Sequence, residues 1–217
     1  LTKELFQDMG KNVTTNWQSM NADVAKVVMD SETTRAMDGL VVIDHYVRDP
    51  KQVAKDVAQI AQRSGGKVAL GEFGAPIPDL HGAFSERQQA QWVESALSDL
   101  AASPHLVGIS YWTNRFGSTK LWTDTGSPRE VVAVLKKYYS PKTIKGTVRG
   151  IWGRTLRGVG VVSSEGVQTE TNASGSFVVP YIQHPVDLDI SHRGYEHITR
   201  RVSDGDDLVS IRLTSEG

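Results

Sequence analysis

A short apolar run that ends in an acidic residue between two glycines constrains the fold of this chain more than any other feature. Residues 68–70 are apolar and are followed by Gly71, Glu72, Phe73 and Gly74. A continuous apolar run is typical of a strand buried on both faces, as in a parallel sheet covered by helices. Because a carboxylate at such a strand end is costly for structure alone, Glu72 is either a salt-bridged structural residue or part of a functional site.

The same arrangement occurs before and after this run. Residues 39–43 lead into the polar cluster Asp44-His45-Tyr46, and residues 106–111 lead into Trp112. The stretches between these runs have helical spacing and helix-start signals, among them Asp49-Pro50 and the capping-box pattern Ser85-Glu86-Arg87-Gln88. Strands that alternate with helices through short connections predict right-handed crossovers and a parallel sheet.

The first part of the chain has the length of half a barrel. Four strand–helix units are expected, and the first begins with a β-prone stretch, residues 13–17, that ends in Trp17. A closed (β/α)8 barrel usually needs about 250 residues. The predicted fold class of residues 1–141 is therefore α/β, with about half of a (β/α)8-type barrel present.

The sequence pattern changes at Lys142, directly after the helix-stopping Pro141. From there to residue 217, short runs of alternating apolar and polar residues are separated by Gly, Asn, Asp and Pro. Seven such runs in about 75 residues are typical of a β-sandwich. We therefore expect a second, all-β domain over residues 142–217.

Composition excludes several classes of partner and site. The net charge is −1 with no basic block, which argues against nucleic acid or an anionic membrane surface as the main partner. No apolar run approaches the roughly 20 residues of a membrane span. Cysteine is absent, which excludes disulfides and thiolate metal ligands. No motif for a cofactor is present, and the spacing of Asp44, His45, Glu72 and His81 does not support a metal site.

The ends of three predicted strands bring together residue types that suit a sugar. Parallel barrel strands point the same way, so Tyr46, Glu72 and Trp112 are expected on one rim. An indole can stack on a pyranose face, and imidazole and phenol groups can bind hydroxyls. A carboxylate can attack or stabilise an anomeric centre.

With these strand ends, residues 1–140 resemble glycoside hydrolases of the cellulase-like clan (clan A). The resemblance lies in Gly71-Glu72-Phe73-Gly74, in His45-Tyr46 one strand earlier, in Trp112 one strand later, and in residues 121–128, which are similar to that clan's exit from the eighth strand. It implies that the chain holds strands five to eight of the barrel. It also implies roles for single residues: Glu72 as the nucleophile of a retaining enzyme, Tyr46 orienting it, His45 contacting substrate and Trp112 flooring the subsite. Apart from the resemblance, Trp17 at the end of the first expected strand is a candidate sugar platform, and the loop residues His81, Trp122 and Asp124 are candidates to line the cleft.

Two departures from the clan's pattern matter. Many relatives space the histidine and tyrosine by one residue, whereas His45 and Tyr46 are adjacent, so at most one is expected to face the cleft. The clan's acid/base glutamate lies on the fourth strand, which this chain does not contain. Asp44 is a poor substitute and is expected to be structural. We therefore expect the isolated chain to be inactive or nearly so, and to dimerise, to aggregate or to pair with a missing amino-terminal half-barrel.

The second domain is similar to the carboxypeptidase regulatory-like (transthyretin-like) domain, an immunoglobulin-like sandwich. The most recognisable features are the turn at residues 172–175 and the pair Gly194-Tyr195. The resemblance implies a non-catalytic spacer. A weak glycan binder is the alternative, with Trp152 and Tyr181 as candidate stacking aromatics.

The function predicted from these features is a retaining glycoside hydrolase that acts on a β-linkage of a polysaccharide or oligosaccharide. A non-catalytic carbohydrate-binding or scaffold protein is the competing class, and a metal-dependent hydrolase on the same rim is a third. The residues indicate no compartment, and the resemblance points to secretion or the periplasm.

Overall fold

The structure is a computed structural model that describes residues 8–10, 20–206 and 208–216. The chain divides into two compact units, Leu1–Leu135 and Lys136–Gly217. This division falls within the α-helix Glu130–Tyr139, whereas the sequence places the boundary near residue 141. The strand expected at residues 13–17, with Trp17, lies outside the described residues.

The first unit alternates strands and helices. Its elements, in chain order, are β1 (Met20–Asn21), α1 (Ala22–Val28), α2 (Ser31–Ala36), β2 (Leu40–His45), α3 (Pro50–Ser64), β3 (Lys67–Phe73), α4 (Pro78–His81), α5 (Glu86–Ala101), β4 (Leu106–Tyr111) and α6 (Glu130–Tyr139).

The four strands form one parallel sheet in the order β1-β2-β3-β4. Local chemistry sets the helix bounds: Asp49 caps α3 with Pro50 in its first turn, Gly65 ends it in the left-handed region, and Ser85 opens α5 with a capping box. The prediction of a mixed α/β unit with a parallel sheet is confirmed. Closure into a barrel is not established by these four strands.

One face of this sheet is packed against helices. Alternate residues of β2 and β3 are fully buried there, together with the apolar stripes of α3 and α5, and the set comprises Val41, Ile43, Val53, Val57, Ile60, Val68, Leu70, Phe73, Trp92, Val93, Leu97 and Leu100. The intervening residues of β2, among them Val42 and Asp44, are only partly buried. The sheet therefore has a covered face and a more open face.

The second unit is built of strands. They are β5 (Lys142–Arg149), β6 (Gly160–Ser163), β7 (Gln168–Glu170), β8 (Ser176–Tyr181), β9 (Val186–Ser191), β10 (Ile198–Val202) and β11 (Leu208–Arg212). They form two sheets, in the orders β10-β9-β6-β7 and β11-β5-β8. Side chains from both sheets share one buried cluster, which includes Ile144, Val161, Phe177, Leu188 and Ile211.

Within the described residues, no helix has both the length and the apolar content needed to cross a membrane.

The core of the second unit leaves no room for a side chain at Gly146. A Cβ atom there would overlap the buried Phe177 ring and would lie 2.8 Å from Val209 Cγ2. We expect Gly146→Ala to lower the free energy of unfolding by about 1–3 kcal/mol, because overpacking forces buried neighbours to shift. Urea unfolding followed by far-UV circular dichroism measures the change.

Gly108→Ala is the matched control, since a Cβ atom at this strand glycine of the first unit meets nothing within 4 Å. Equal stability of the Gly146 and Gly108 variants would contradict the packing of the second unit.

Candidate active site

An irregularity in the pairing of β2 with β3 decides which side chains share the open face. Ile43 pairs with Leu70, but the next residue, Asp44, pairs with Glu72, so Gly71 is an extra residue in β3. Without this shift, the Glu72 side chain would project from the same face of the sheet as the Leu70 side chain, towards the helices. With it, Glu72 lies beside Asp44 on the open face.

Glu72 is held by Tyr46 from the neighbouring strand end. The Tyr46 hydroxyl donates a hydrogen bond to Glu72 Oε2 at 2.9 Å. Within the described residues Glu72 makes no ion pair and no second hydrogen bond, and its side chain is partly exposed. The described contacts therefore give Glu72 no structural cation, and its Oε1 atom has no hydrogen-bond partner among them.

The environment of Tyr46 keeps its hydroxyl protonated. Burial raises the pKa of Tyr46 well above its usual value of 10.0, and the hydrogen bond to Glu72 and the negative charges of Glu72 and Asp44 raise it further. Tyr46 therefore remains a hydrogen-bond donor to Glu72 over the whole physiological pH range.

Asp44 belongs to the same group, although the sequence suggested a structural role. It is the register partner of Glu72 and lies two residues before Tyr46, so all three side chains project from one face. Its Oδ1 atom is buried and has no hydrogen-bond partner in the described part of the chain. The sequence signal for this grouping is that Asp44 and Tyr46 are two positions apart, which places their side chains on the same face of a strand.

His45 points the other way. It is 4% exposed, and its Nε2 lies 2.8 Å from Oδ2 of Asp56 on helix α3. The structure thus places His45 on the helix-covered face and does not bring it together with Tyr46 and Glu72. Of the adjacent pair, only Tyr46 reaches the open face, because neighbouring residues of a strand project in opposite directions.

Asp56 organises a buried polar network behind the site. Lys26 Nζ lies 2.9 Å from Asp56 Oδ1, and Gln52 Nε2 donates to the same oxygen at 2.9 Å. Burial by itself would raise the pKa of Asp56, but the hydrogen bonds from Lys26 and Gln52 together with the electrostatic effect of His45 and Lys26 give a net lowering of the pKa. Burial lowers the pKa of His45 despite the opposing charge of Asp56, so its imidazole is neutral and Nε2 donates to the carboxylate.

Trp112 follows β4 and borders the same strand ends. Its indole is 52% exposed, and its backbone N–H donates to Phe73 O at 2.8 Å. The peptide bond between Trp112 and Thr113 is cis. Gly74 passes so close to the Trp112 carbonyl that a Cβ atom would collide with it, which explains the second glycine of the motif.

Trp122 lies on the loop that follows. Its indole Nε1–H donates to Asn114 Oδ1 at 2.8 Å, and its side chain is partly exposed. The structure gives no contact of Trp122 with Tyr46 or Glu72 among the described residues. Its predicted role in sugar binding stays a prediction, as does that of Trp17.

Two buried or partly buried polar residues hold the loops around these strand ends. Gln89 of α5 is fully buried and donates to Ala75 O at 2.9 Å and to Thr119 O at 3.0 Å, which joins the loops after β3 and β4. His81 Nε2 donates to Val47 O at 2.9 Å, so His81 fixes the chain directly after Tyr46. Neither role was predicted from the sequence.

No group of three or more His, Asp or Glu side chains that could hold a metal ion occurs among the described residues.

Comparisons with known proteins give distant structural similarities. No protein-family model matches the sequence, and no curated protein matches it either. One similar solved structure is a Bacteroides uniformis β-glucuronidase 2, with 14% identity and a TM-score of 0.41 over 84% of this chain and 28% of that one. A second is a GH128 subgroup VII oligosaccharide-binding protein from Trichoderma gamsii, with 16% identity and a TM-score of 0.41 over 63% of this chain and 48% of that one. A third is a family 26 endo-β-1,4-mannanase from Cellulomonas fimi, with 12% identity and a TM-score of 0.32 over 79% of this chain and 48% of that one.

The chain spans less than half the length of each of these three structures. Similarity at these scores and identities does not assign a function.

The network behind the site generates a stability prediction. Asp56→Asn removes the buried charge that Lys26 and His45 contact and leaves Lys26 with the exposed carboxylate of Asp23, so we expect the free energy of unfolding at pH 7 to fall by about 2 kcal/mol. Urea unfolding of wild type and variant measures the difference.

Asp99→Asn, an exposed change on α5, should leave stability within about 0.5 kcal/mol of wild type. A loss no larger for Asp56→Asn than for Asp99→Asn would show that the network contributes little to the fold.

Proposed function

We propose that this chain carries the nucleophile half of a retaining glycoside hydrolase that acts on β-linked polysaccharides or oligosaccharides. The observation that carries the proposal is the Tyr46 hydroxyl donating to Glu72 Oε2 at the carboxyl ends of two adjacent parallel strands. A carboxylate that has a neutral donor on one oxygen and no cation among the described residues is suited to nucleophilic attack rather than to a structural ion pair.

Each residue of the site has a defined role in this proposal. Glu72 attacks the anomeric carbon through the oxygen that Tyr46 does not bind, and a covalent glycosyl–enzyme forms as the leaving oxygen is protonated. Water then hydrolyses this ester, and Glu72 is regenerated. Tyr46 fixes the carboxylate, and the half-exposed indole of Trp112 stacks on the sugar ring.

The acid/base in this proposal is a glutamate on a segment that is not in this chain. Such a group must protonate the leaving oxygen and then activate water, and in retaining enzymes it lies about 5–5.5 Å from the nucleophile. The proposal therefore treats the first unit as strands five to eight of a (β/α)8 barrel. A missing amino-terminal half-barrel or a second copy of the chain would complete it.

The second unit is proposed to be non-catalytic. Two sheets that share one apolar cluster fit an immunoglobulin-like sandwich of the carboxypeptidase regulatory-like type, over residues 142–217. A spacer role suits it, since its largest exposed aromatic, Trp152, is a single side chain on a short turn.

Glu72 can be tested without the acid/base. β-Configured 5-fluoroglycosyl fluorides lose fluoride without acid assistance and trap the nucleophile of a retaining enzyme as a stable ester. We expect a probe of the matching sugar configuration to add one glycosyl mass to the full chain, located at Glu72 by peptide mass spectrometry. Glu72→Gln should lower the labelling rate on the order of 10³-fold or more, because an amide is a very poor nucleophile.

Glu130→Gln, an exposed change at the start of α6, should label at the wild-type rate. If the Glu72→Gln variant still binds the sugar and wild type is never labelled, a non-catalytic carbohydrate-binding protein is the better description.

The hydrogen bond from Tyr46 makes a separate prediction. Tyr46→Phe removes one hydroxyl and leaves the ring, so Glu72 loses its only described donor. We expect the labelling rate to fall about 10- to 100-fold, the effect of one hydrogen bond to a charged group. Labelling kinetics by intact-mass spectrometry measure this, with Tyr195→Phe in the second unit as the control. Equal rates for both variants would remove Tyr46 from the site.

A further inference from the structure

Asp44 is the acidic side chain nearest to Glu72 in the sheet. The two residues are register partners on adjacent strands, and adjacent strands lie about 4.8 Å apart. Both carboxylates project from the open face, beside the Tyr46 hydroxyl. A sugar ring placed with its anomeric carbon at Glu72 would therefore cover Asp44.

None of the described residues forms a hydrogen bond or an ion pair with the Asp44 carboxylate. Within the described residues no Lys, Arg or His pairs with it, and its Oδ1 atom is buried without a hydrogen-bond partner. Tyr46 cannot supply the missing donor, because its one hydroxyl proton is already donated to Glu72. Because Oδ1 is closed off from solvent, a ligand with donor groups reaches this carboxylate through its other oxygen, Oδ2, which is not among the buried atoms that lack a partner.

The chemistry of the pair limits what that ligand can be. A carboxylate only accepts hydrogen bonds, so it suits sugar hydroxyls or an ammonium group. Two neighbouring carboxylates without a described cation repel a third negative charge strongly in a partly buried site. The carboxylate of a uronic acid would therefore be unfavourable here.

We propose that Asp44 determines substrate specificity by accepting a hydrogen bond from a hydroxyl of the sugar that Glu72 attacks, and by excluding uronic acids from that position. This inference rests on the hydrolase function proposed above for Glu72. It assigns the site to neutral or amino sugars.

The experiment compares four β-configured 5-fluoroglycosyl fluorides, which retain all ring hydroxyls. Three are neutral, with glucose, galactose and mannose configuration, and the fourth is the glucuronyl probe. The rate constant for labelling Glu72 is measured by intact-mass spectrometry on the full chain for wild type, for Asp44→Asn and for the exposed control Asp79→Asn.

At least one neutral probe should label Glu72 of the wild type. Its labelling rate constant should be at least tenfold higher than that of the glucuronyl probe. The same neutral probe should label the Asp44→Asn variant about tenfold more slowly than wild type, because the hydrogen bond from the sugar hydroxyl to a charged carboxylate becomes one to a neutral amide. The variant's ratio of neutral to glucuronyl labelling should also fall. A variant that merely perturbed the fold would slow all four probes alike and would leave this ratio unchanged.

Two results would overturn the inference while the proposed function stands. One is an Asp44→Asn variant whose rates and ratio equal those of Asp79→Asn, and the other is a wild type that prefers the glucuronyl probe. Labelling of no probe by wild type would instead refute the proposed function, and the inference with it. Should Asp44→Asn unfold in urea at lower concentration than wild type, Asp44→Ser repeats the comparison.

Discussion

One extra residue in β3 determines the site. Because Gly71 shifts the pairing of β3 against β2, Glu72 changes from the helix-covered face to the open face, and Phe73 takes the covered face. Glycine suits this position, since a bulge requires the backbone to depart from regular pairing without a side chain to place. A sheet of the same residues in regular register would bury the carboxylate of Glu72 against α3 and α5.

Three consecutive side chains at the end of β2, those of residues 44–46, lie in two different environments. Asp44 and Tyr46 face outwards beside Glu72, while His45 faces inwards and binds Asp56. The inward contact ties the end of β2 to helix α3 and, through Lys26, to α1. The outward side chains are thus held on a strand end that is fixed from behind by a buried hydrogen-bonded network, which is how a site gains preorganisation.

Polar contacts help to position the loops around the strand ends, together with ring contacts of His81 with Phe84 and Trp92. Gln89 joins the loops after β3 and β4, and His81 holds the chain after Tyr46. Backbone carbonyls in loops need donors when they are buried, and these two side chains supply them. The close approach of Gly74 to the Trp112 carbonyl packs the backbone after β4 against the backbone after β3.

The sequence by itself determined the order of strands and helices, the parallel sheet of the first unit, and the position of Glu72 at a strand end. These follow from local periodicity and capping residues, which the chain carries within a few residues of each element. It could not determine which of Asp44, His45 and Tyr46 would face Glu72. The two-residue period of a strand fixes only that neighbours diverge, whereas the face each one takes depends on pairing with β3 and on packing against α3. The tertiary structure therefore decided that Asp44 and Tyr46 join Glu72 and that His45 serves the core, because register and burial are set by contacts between residues distant in the chain.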